Sequence, residues 1–222
     1  MTSPFTFRAA RPDVWISEPV EPRGEHAIER AISLLAPLGV PPDPPDLAGD
    51  RLFRDARPPE SIPERFFLVH PGAGWPNKRY PAELWGQAAQ RLAEATGLAG
   101  LVVGGPTEAD LVTIAERTSR GSLRRIETGD LADLAALMRR AELVLAGDTG
   151  PLPLAHSLGT TVLCLMGPTD PTTHGPYGRP ESALWHQLPC SYCHRRLDGP
   201  KPCLTLLEPQ AVADRATALL AL

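Results

Sequence analysis

The sequence lacks the features that usually mark membrane-spanning, secreted and nucleic-acid-binding proteins. No apolar stretch approaches the length of about 18 residues that a transmembrane helix needs, and the opening "MTSPFTFRAARPDVW" contains no apolar core of a signal peptide. The 222 residues carry 22 basic and 26 acidic side chains, a net charge of −4, so there is no basic excess to bind nucleic acid. These absences predict a soluble, cytoplasmic protein with no membrane span and no nucleic-acid partner.

Cysteine is also scarce, because four residues in a chain of this length are too few for a disulfide scaffold. Cys164 lies in the apolar stretch "TVLCLMG" and is predicted to be a core residue. Cys190, Cys193 and Cys203, together with His194, are candidate zinc ligands. Structural zinc sites more often combine two short ligand pairs, and only one pair is present. We therefore expect reduced thiols and no metal site, with zinc as the alternative.

Proline, in contrast, is abundant, with 26 residues concentrated in two parts of the chain. The stretch "PPDPPD" at 41–46 predicts a stiff linker. Before it, Ile28, Ile32 and Leu35 are spaced as on one face of a helix, with Gly39 as the expected stop. A single helix cannot bury a core alone, so this segment is predicted to dock on another domain.

After the linker, short apolar strands alternate with amphipathic helices. The predicted strands are 65–70, 100–105, 124–128, 142–147 and 160–167, and the predicted helices are 81–96, 107–118, 131–141 and 151–158. Strands that are apolar throughout and alternate with helices are typical of a parallel sheet covered on both faces. The fold class predicted is α/β, a doubly wound, Rossmann-like parallel sheet.

Right-handed crossovers place the carboxyl ends of all parallel strands at one edge of the sheet. Four segments follow predicted strands and would meet there: "HPGAGWPNKR", "GGPTEAD", "GDTG" and "GPTDP". Open α/β sheets bind their ligands at this edge. The sequence therefore predicts a ligand site built from these four loops.

The first loop has the composition of a phosphate site. Gly72 and Gly74 would let backbone N–H groups approach phosphate oxygens, and Lys78 is placed to reach the same anion. The spacing is not that of a Walker A motif. The alternative is an ordinary glycine turn followed by a surface lysine.

Two acidic residues follow other strands at the same edge. Glu108 is a candidate acceptor for both hydroxyls of a ribose, or alternatively a first-turn charge that complements the helix dipole. Asp148 is a candidate acceptor for sugar hydroxyls beside a phosphate held by Thr149 and Gly150. The alternative makes Asp148 or Thr149 a helix N-cap with Pro151 at the first helical position, and both roles can hold together.

The segments "HPGAGWPNKRYP", "VVGGPTE" and "AGDTGPLPLAHSLGTTVLCLMGPTDPTTHGPYG" resemble, in order and spacing, the carboxyl-terminal half of glycosyltransferase family 9. This family comprises the ADP-heptose:lipopolysaccharide heptosyltransferases and their relatives, and the resemblance covers about residues 64 to 180. It implies one half of a two-domain GT-B enzyme, in which the carboxyl-terminal half binds the nucleotide-sugar donor. The amino-terminal half binds the acceptor, usually a lipopolysaccharide core, and supplies an acidic base.

Carried over by position, the resemblance assigns donor contacts. The expected donor-binding residues are Gly72, Ala73, Gly74 and Lys78 on the diphosphate, Glu108 on the ribose, Gly129 along the adenine, Asp148 on the sugar, and Thr149 and Gly150 on the phosphates. The implied chemistry is an inverting displacement with no metal and no cofactor. A catalytic residue is not assigned.

This sequence departs from the family at two points. Pro153 stands where the family usually has a histidine, and His156 lies one turn further on. Residues 1–62 are expected to be a remnant of the acceptor domain with the crossing helix and linker, and 63–222 the donor-binding domain. The predicted partners are an ADP-heptose-like donor and a possible separately encoded acceptor domain. The alternatives are a non-catalytic nucleotide-sugar-binding module and an unrelated doubly wound protein.

Overall fold

The structure is a computed structural model that describes residues 20–41, 49–59, 61–193, 199 and 201–221. Most of the predicted proline linker and His194 lie outside these ranges. The chain divides into two compact units, Met1–Pro44 and Pro45–Leu222. This division lies ahead of the boundary at 62/63 that the sequence predicts.

The first unit contains the expected helix, although it is shorter than its apolar pattern. Helix α1 (Ala27–Ser33) begins after His26, whose Nδ1 accepts the Ile28 N–H at 3.2 Å. A short 3₁₀ helix, Ala36–Leu38, follows and ends at Gly39, which has a φ of 73°. Pro37 explains the early end of α1, because proline lacks the N–H that the next helical turn needs. Gly39 is the stop that the sequence predicts.

The second unit is built on one six-stranded sheet. The strands are β1 (Phe66–His70), β2 (Ala99–Val102), β3 (Leu123–Arg125), β4 (Leu143–Gly147), β5 (Val162–Met166) and β6 (Ala183–Trp185). All neighbouring pairs are parallel, in the order β3-β2-β1-β4-β5-β6. The doubly wound parallel sheet that the sequence predicts is confirmed.

Helices cover both faces of this sheet. They are α2 (Gly49–Leu52), α3 (Ala82–Thr96), α4 (Ala109–Thr118), α5 (Leu131–Arg140), α6 (Pro151–Ser157), α7 (Pro171–His174), α8 (Pro202–Thr205) and α9 (Pro209–Leu220). No helix among the described residues is long and apolar enough to cross a membrane.

Successive residues of the central strands point to opposite faces and feed two separate cores. On one face, Phe67 and Val69 of β1 belong to the same buried cluster as Trp85 of α3 and Val212 of α9. On the other face, alternate strand residues join a cluster with α5 and α6, including Met138 and Leu152. Strands buried on both sides need apolar side chains at every position, which is why they appear in the sequence as continuous apolar runs.

The residues just before the sheet pack on the second core. Phe53 and Ile62 contact this cluster, and the Arg139 guanidinium donates hydrogen bonds to the carbonyls of Phe53 and Ala56 at 2.9 and 3.0 Å. These contacts explain why the structural division precedes residue 49 and does not fall at 62/63.

Candidate functional site

Strands β1 and β4 are neighbours, and the chain leaves them in opposite directions along the sheet. His70 pairs with Ala146 in register, while β1 continues to β2 on one side and β4 to β5 on the other. The connections after β1 and β4 therefore run to opposite sides of the sheet, and we refer to the position between these two loops as the crevice. Doubly wound sheets bind ligands at such a point, and the two loops carry seven of the nine predicted contact residues, including Lys78.

An ion pair joins these two loops. The Lys78 ammonium, in a 3₁₀ helix formed by Pro76–Lys78, lies 2.5 Å from Oδ2 of Asp148. The two side chains are 30% and 23% exposed, so water reaches both. Thr169, in the loop after β5, donates its hydroxyl to the same oxygen at 2.7 Å. Three loops thus meet at one carboxylate.

The contacts of Asp148 exclude the capping role considered for it. The N-cap of α6 is Gly150, without any side-chain cap hydrogen bond, and Pro151 occupies the first helical turn as expected. Neither Asp148 nor Thr149 is therefore a side-chain cap. The Asp148 carboxylate faces Lys78 and Thr169 in the crevice instead.

Glu108 occupies the adjacent loop, after β2, and is held from two sides. Its Oε2 lies 3.3 Å from His70 Nε2 and accepts the Gly105 N–H at 2.8 Å. The hydrogen bond from His70 lowers the pKa of Glu108, opposed by burial and reinforced by the Gly105 N–H. Glu108 is therefore an ionised acceptor at neutral pH. It also fits the alternative role considered for it, because it is an acidic residue in the first turn of a helical segment.

Gly72 brings the backbone of the first loop against this carboxylate. A Cβ atom at position 72 would lie only 1.8 Å from Oε1 of Glu108. Any side chain there would displace the carboxylate, so the contact between the two loops requires glycine. Gly74, in contrast, has open space at its Cβ position.

Several backbone donors around the crevice have no partner. Within the described ranges, the N–H groups of Gly72, Ala73, Gly74, Thr149 and Gly150 meet no hydrogen-bond acceptor. Arg79 fixes the first loop by donating to the Ala73 carbonyl at 2.9 Å. Backbone N–H groups without an acceptor near a lysine are available to an anion with several oxygens.

Gly129 lies further along the same edge, in the loop after β3, an edge strand two positions from β1. Its N–H donates to Asp133 Oδ2 at 2.9 Å. It lies apart from the Lys78–Asp148 pair, and its own N–H is already engaged.

Pro153 and His156 have different surroundings. Pro153 is exposed on α6. His156, one turn later, has its Nε2 at 2.8 Å from the Tyr177 carbonyl. His156 is therefore tied to the loop after α7.

Of the cysteines, Cys164 is fully buried in β5, which confirms its predicted place in the core. Cys190 is exposed, Cys193 half-buried and Cys203 buried. Within the described part of the chain, no three His, Cys, Asp or Glu side chains stand close enough to hold a metal ion.

Two residues at the site were not among the predicted contacts. Thr169 lies in "GPTDP", a segment already expected at this edge, but its bond to Asp148 depends on the pairing of β4 with β5. His70 ends β1, is 6% exposed, and has Glu108 as the partner of its Nε2. Its Nδ1 is buried without a hydrogen-bond partner among the residues described.

Comparisons with known proteins agree on one family. The model of glycosyltransferase family 9 (heptosyltransferase) matches residues 16–203. The lipopolysaccharide heptosyltransferase 1 of Pseudomonas aeruginosa is 28% identical over 96% of this chain and 62% of its own length. The chain thus spans about three fifths of that relative.

Solved structures show the same fold. The glycosyl transferase family 9 protein of Veillonella parvula has a TM-score of 0.67 at 21% identity, over 92% of this chain and 62% of its own. The E. coli heptosyltransferase WaaC with ADP has a TM-score of 0.67 at 23% identity, over 91% of this chain and 59% of its own length. The same enzyme has been solved with ADP-2-deoxy-2-fluoro heptose.

Proposed function

Because the chain belongs to glycosyltransferase family 9, the heptosyltransferase family, we propose that it binds a nucleoside-diphosphate sugar in the crevice between β1 and β4. The donor proposed is ADP-heptose or a similar ADP-sugar, for transfer to an acceptor resembling the lipopolysaccharide core. The observation that carries the proposal is the set of unpartnered N–H groups around Lys78, at the switch point of the sheet.

The diphosphate is assigned to the two loops that flank the crevice. The N–H groups of Gly72, Ala73 and Gly74, after β1, and of Thr149 and Gly150, after β4, have no acceptor among the described residues and are proposed to bind it. Lys78 adds the positive charge that a diphosphate needs, both when bound and when it leaves as the sugar is transferred. To bind the diphosphate, the Lys78 ammonium must therefore either contact Asp148 and the phosphate oxygens together or leave Asp148 for the phosphate oxygens.

The sugar and the nucleoside are assigned to the acidic residues and the neighbouring loop. Asp148, held by Lys78 and Thr169, presents a carboxylate beside the diphosphate for the hydroxyls of the donor sugar. Glu108, ionised and fixed by His70, accepts the two ribose hydroxyls. The base would then extend towards Gly129. Adenine is the first base to test, because the E. coli relative has been solved with ADP.

Calorimetric titration of the full chain tests donor binding. We expect ADP to bind, AMP to bind more weakly because it lacks the second phosphate, and ADP-heptose to bind through additional sugar contacts. UDP serves as the comparison for the base. A chain that binds no nucleoside diphosphate would contradict the proposal.

Transfer itself requires an acceptor-binding domain that supplies a base, on this polypeptide or on a separate one. The alternative function, a nucleotide-sugar-binding module without catalysis, is favoured by Pro153 at the usual histidine position. Sugar transfer assayed with a supplied acceptor domain discriminates between them. Turnover by the natural chain supports the transferase, and turnover only after Pro153→His supports the alternative.

A further inference from the structure

A second cation lies in the loop after β1, directly after Lys78. The Arg79 side chain is half-buried, and its Nε donates to the Ala73 carbonyl at 2.9 Å. Among the described residues, the guanidinium meets no other acceptor, and no carboxylate lies within 4 Å of it. A guanidinium carries five N–H groups, so most of them are available to a ligand.

The surroundings of Ala73 place this guanidinium on the Glu108 side of the loop. Gly72, the residue before Ala73, lies against the Glu108 carboxylate. The hydrogen bond from His70 is the largest cause of the lowered pKa of Glu108, and the positive charge of Arg79 is a smaller cause. Arg79 therefore lies close enough to Glu108 to act on it electrostatically without forming an ion pair.

Lys78 lies on the other side of the loop, because its ammonium contacts Asp148 in the loop after β4. In the proposed function, Glu108 accepts the ribose hydroxyls and Asp148 the hydroxyls of the donor sugar. In a nucleoside-diphosphate sugar, the first phosphate is bonded to the ribose and the second to the sugar. Arg79, near Glu108, thus corresponds to the first phosphate, and Lys78 to the second.

The balance of charge also favours a role for Arg79. The loops after β1, β2 and β4 contain two cations, Lys78 and Arg79, and two carboxylates, Glu108 and Asp148. Lys78 already contacts Asp148 at 2.5 Å. Without Arg79, a diphosphate would meet two carboxylates and a single ammonium, and like charges repel. Arg79 restores the balance, and its planar guanidinium can donate two N–H groups at once to phosphate oxygens.

We propose that Arg79 binds the first phosphate of the nucleotide, the one attached to the ribose. This inference rests on the proposed function, because it adds a contact to the same donor. The guanidinium keeps its hydrogen bond to the Ala73 carbonyl through Nε and donates from its Nη atoms to the phosphate oxygens. Arg79 thereby makes affinity depend on the first phosphate, while Lys78 acts on the second.

Calorimetric titration with adenosine, AMP and ADP tests this division. Arg79→Gln removes the charge, so AMP and ADP should both bind about tenfold more weakly, while adenosine should bind unchanged. In Lys78→Ala, the loss should be larger for ADP than for AMP. Arg91→Gln is the matched control, because the Arg91 guanidinium also donates to one backbone carbonyl, that of Gln87 at 3.0 Å. This control should bind all three ligands as the natural chain does.

Unchanged affinity for AMP and ADP in Arg79→Gln would overturn the inference and leave the proposed function standing. An equal loss for adenosine would also overturn it, because Arg79 would then act only by shaping the loop through Ala73. A natural chain that binds no nucleoside diphosphate would overturn the inference and the proposed function together.

Modification of the natural chain with phenylglyoxal, which reacts with arginine, gives a second measurement if Arg79→Gln does not fold. Mass spectrometry follows Arg79 and Arg91 separately. Bound AMP, compared with adenosine, should slow the modification of Arg79 and leave that of Arg91 unchanged. Equal modification of Arg79 with the two ligands would overturn the inference.

Discussion

The Lys78 ammonium and the Asp148 carboxylate lie 2.5 Å apart, although 70 positions separate them in the chain. The pair joins the loop after β1 to the loop after β4, two loops that hold five backbone N–H groups with no acceptor in the described part of the chain. A diphosphate entering this crevice meets a cation that already has an anionic partner. In the proposed donor site, the ligand would therefore compete with Asp148 for Lys78.

Lys78→Ala should weaken ADP binding by about 1 to 3 kcal/mol, because a charge-assisted contact is lost and Asp148 is left to repel the diphosphate. Calorimetry measures the effect. Arg65→Ala is the matched control, since Arg65 pairs with Glu142 at 2.6 Å at the opposite, amino-terminal ends of β1 and β4. Equal affinities for Lys78→Ala and the natural chain would remove Lys78 from the site.

Asp148→Asn should separate the affinity for ADP from that for an ADP-sugar. Loss of the negative charge releases Lys78, so ADP should bind as well or up to about tenfold more tightly. ADP-heptose should gain less or lose affinity, because an acceptor for its sugar hydroxyls is weakened. Thr169→Val, which removes only the hydroxyl that donates to Asp148, should change both affinities less than Asp148→Asn. Parallel losses for both ligands in Asp148→Asn would contradict this assignment.

Gly72→Ala should weaken ADP binding by displacing the Glu108 carboxylate, whose Oε1 would lie 1.8 Å from the new Cβ. The atom that must move ends a flexible side chain, so the midpoint of thermal unfolding should change little. We expect a loss of about 1 to 3 kcal/mol in ADP binding, as for a lost hydrogen bond to a charged group.

A double-mutant cycle tests this route. In a Glu108→Ala chain, Gly72→Ala should have almost no additional effect on ADP affinity, because the displaced group is already absent. Additive losses would show that position 72 acts through another contact, such as its own N–H group.

Stability should depend on pH through Glu108. Its pKa is lower in the folded chain than the ordinary value of 4.5, chiefly through His70. A depressed pKa contributes stability that is complete above the unfolded pKa and is lost as pH falls through the folded one. The free energy of unfolding, measured with a chemical denaturant, should thus fall on acidification below about pH 4.5, and it should fall less steeply in Glu108→Gln. Identical pH profiles would contradict this prediction.

Tyr80→Phe should destabilise the second unit by about 1 to 2 kcal/mol. The Tyr80 hydroxyl is buried and donates to the Leu207 carbonyl at 2.7 Å, which ties the end of the first loop to the segment between α8 and α9. Removing it leaves a buried carbonyl without a partner. Urea unfolding measures the change, and Thr113→Val, at an exposed hydroxyl on α4, should stay within about 0.5 kcal/mol of the natural chain.

Much of the fold was predictable because burial on both faces of a parallel sheet leaves a continuous apolar pattern. Phe66 to Val69 and Leu143 to Ala146 are buried at every position, and this run of apolar residues marks a strand without any further information. The end of α1 was less predictable, since the apolar spacing continues through Leu35 while Pro37 ends the helix. Strand β6 and helix α8 are short and show no comparable pattern. Helix α9 was not predicted, although its buried Val212, Ala213, Ala216 and Leu219 recur at helical spacing.

The sequence by itself determined the doubly wound sheet and the set of loops at one edge, since periodicity and crossover handedness are local properties. Only the tertiary structure decided that Asp148 contacts Lys78 and Thr169 and does not cap a helix. It also decided that Glu108 contacts His70 and lies against Gly72. Such contacts join residues on different elements, and their geometry depends on strand order and register, which no short stretch of sequence encodes.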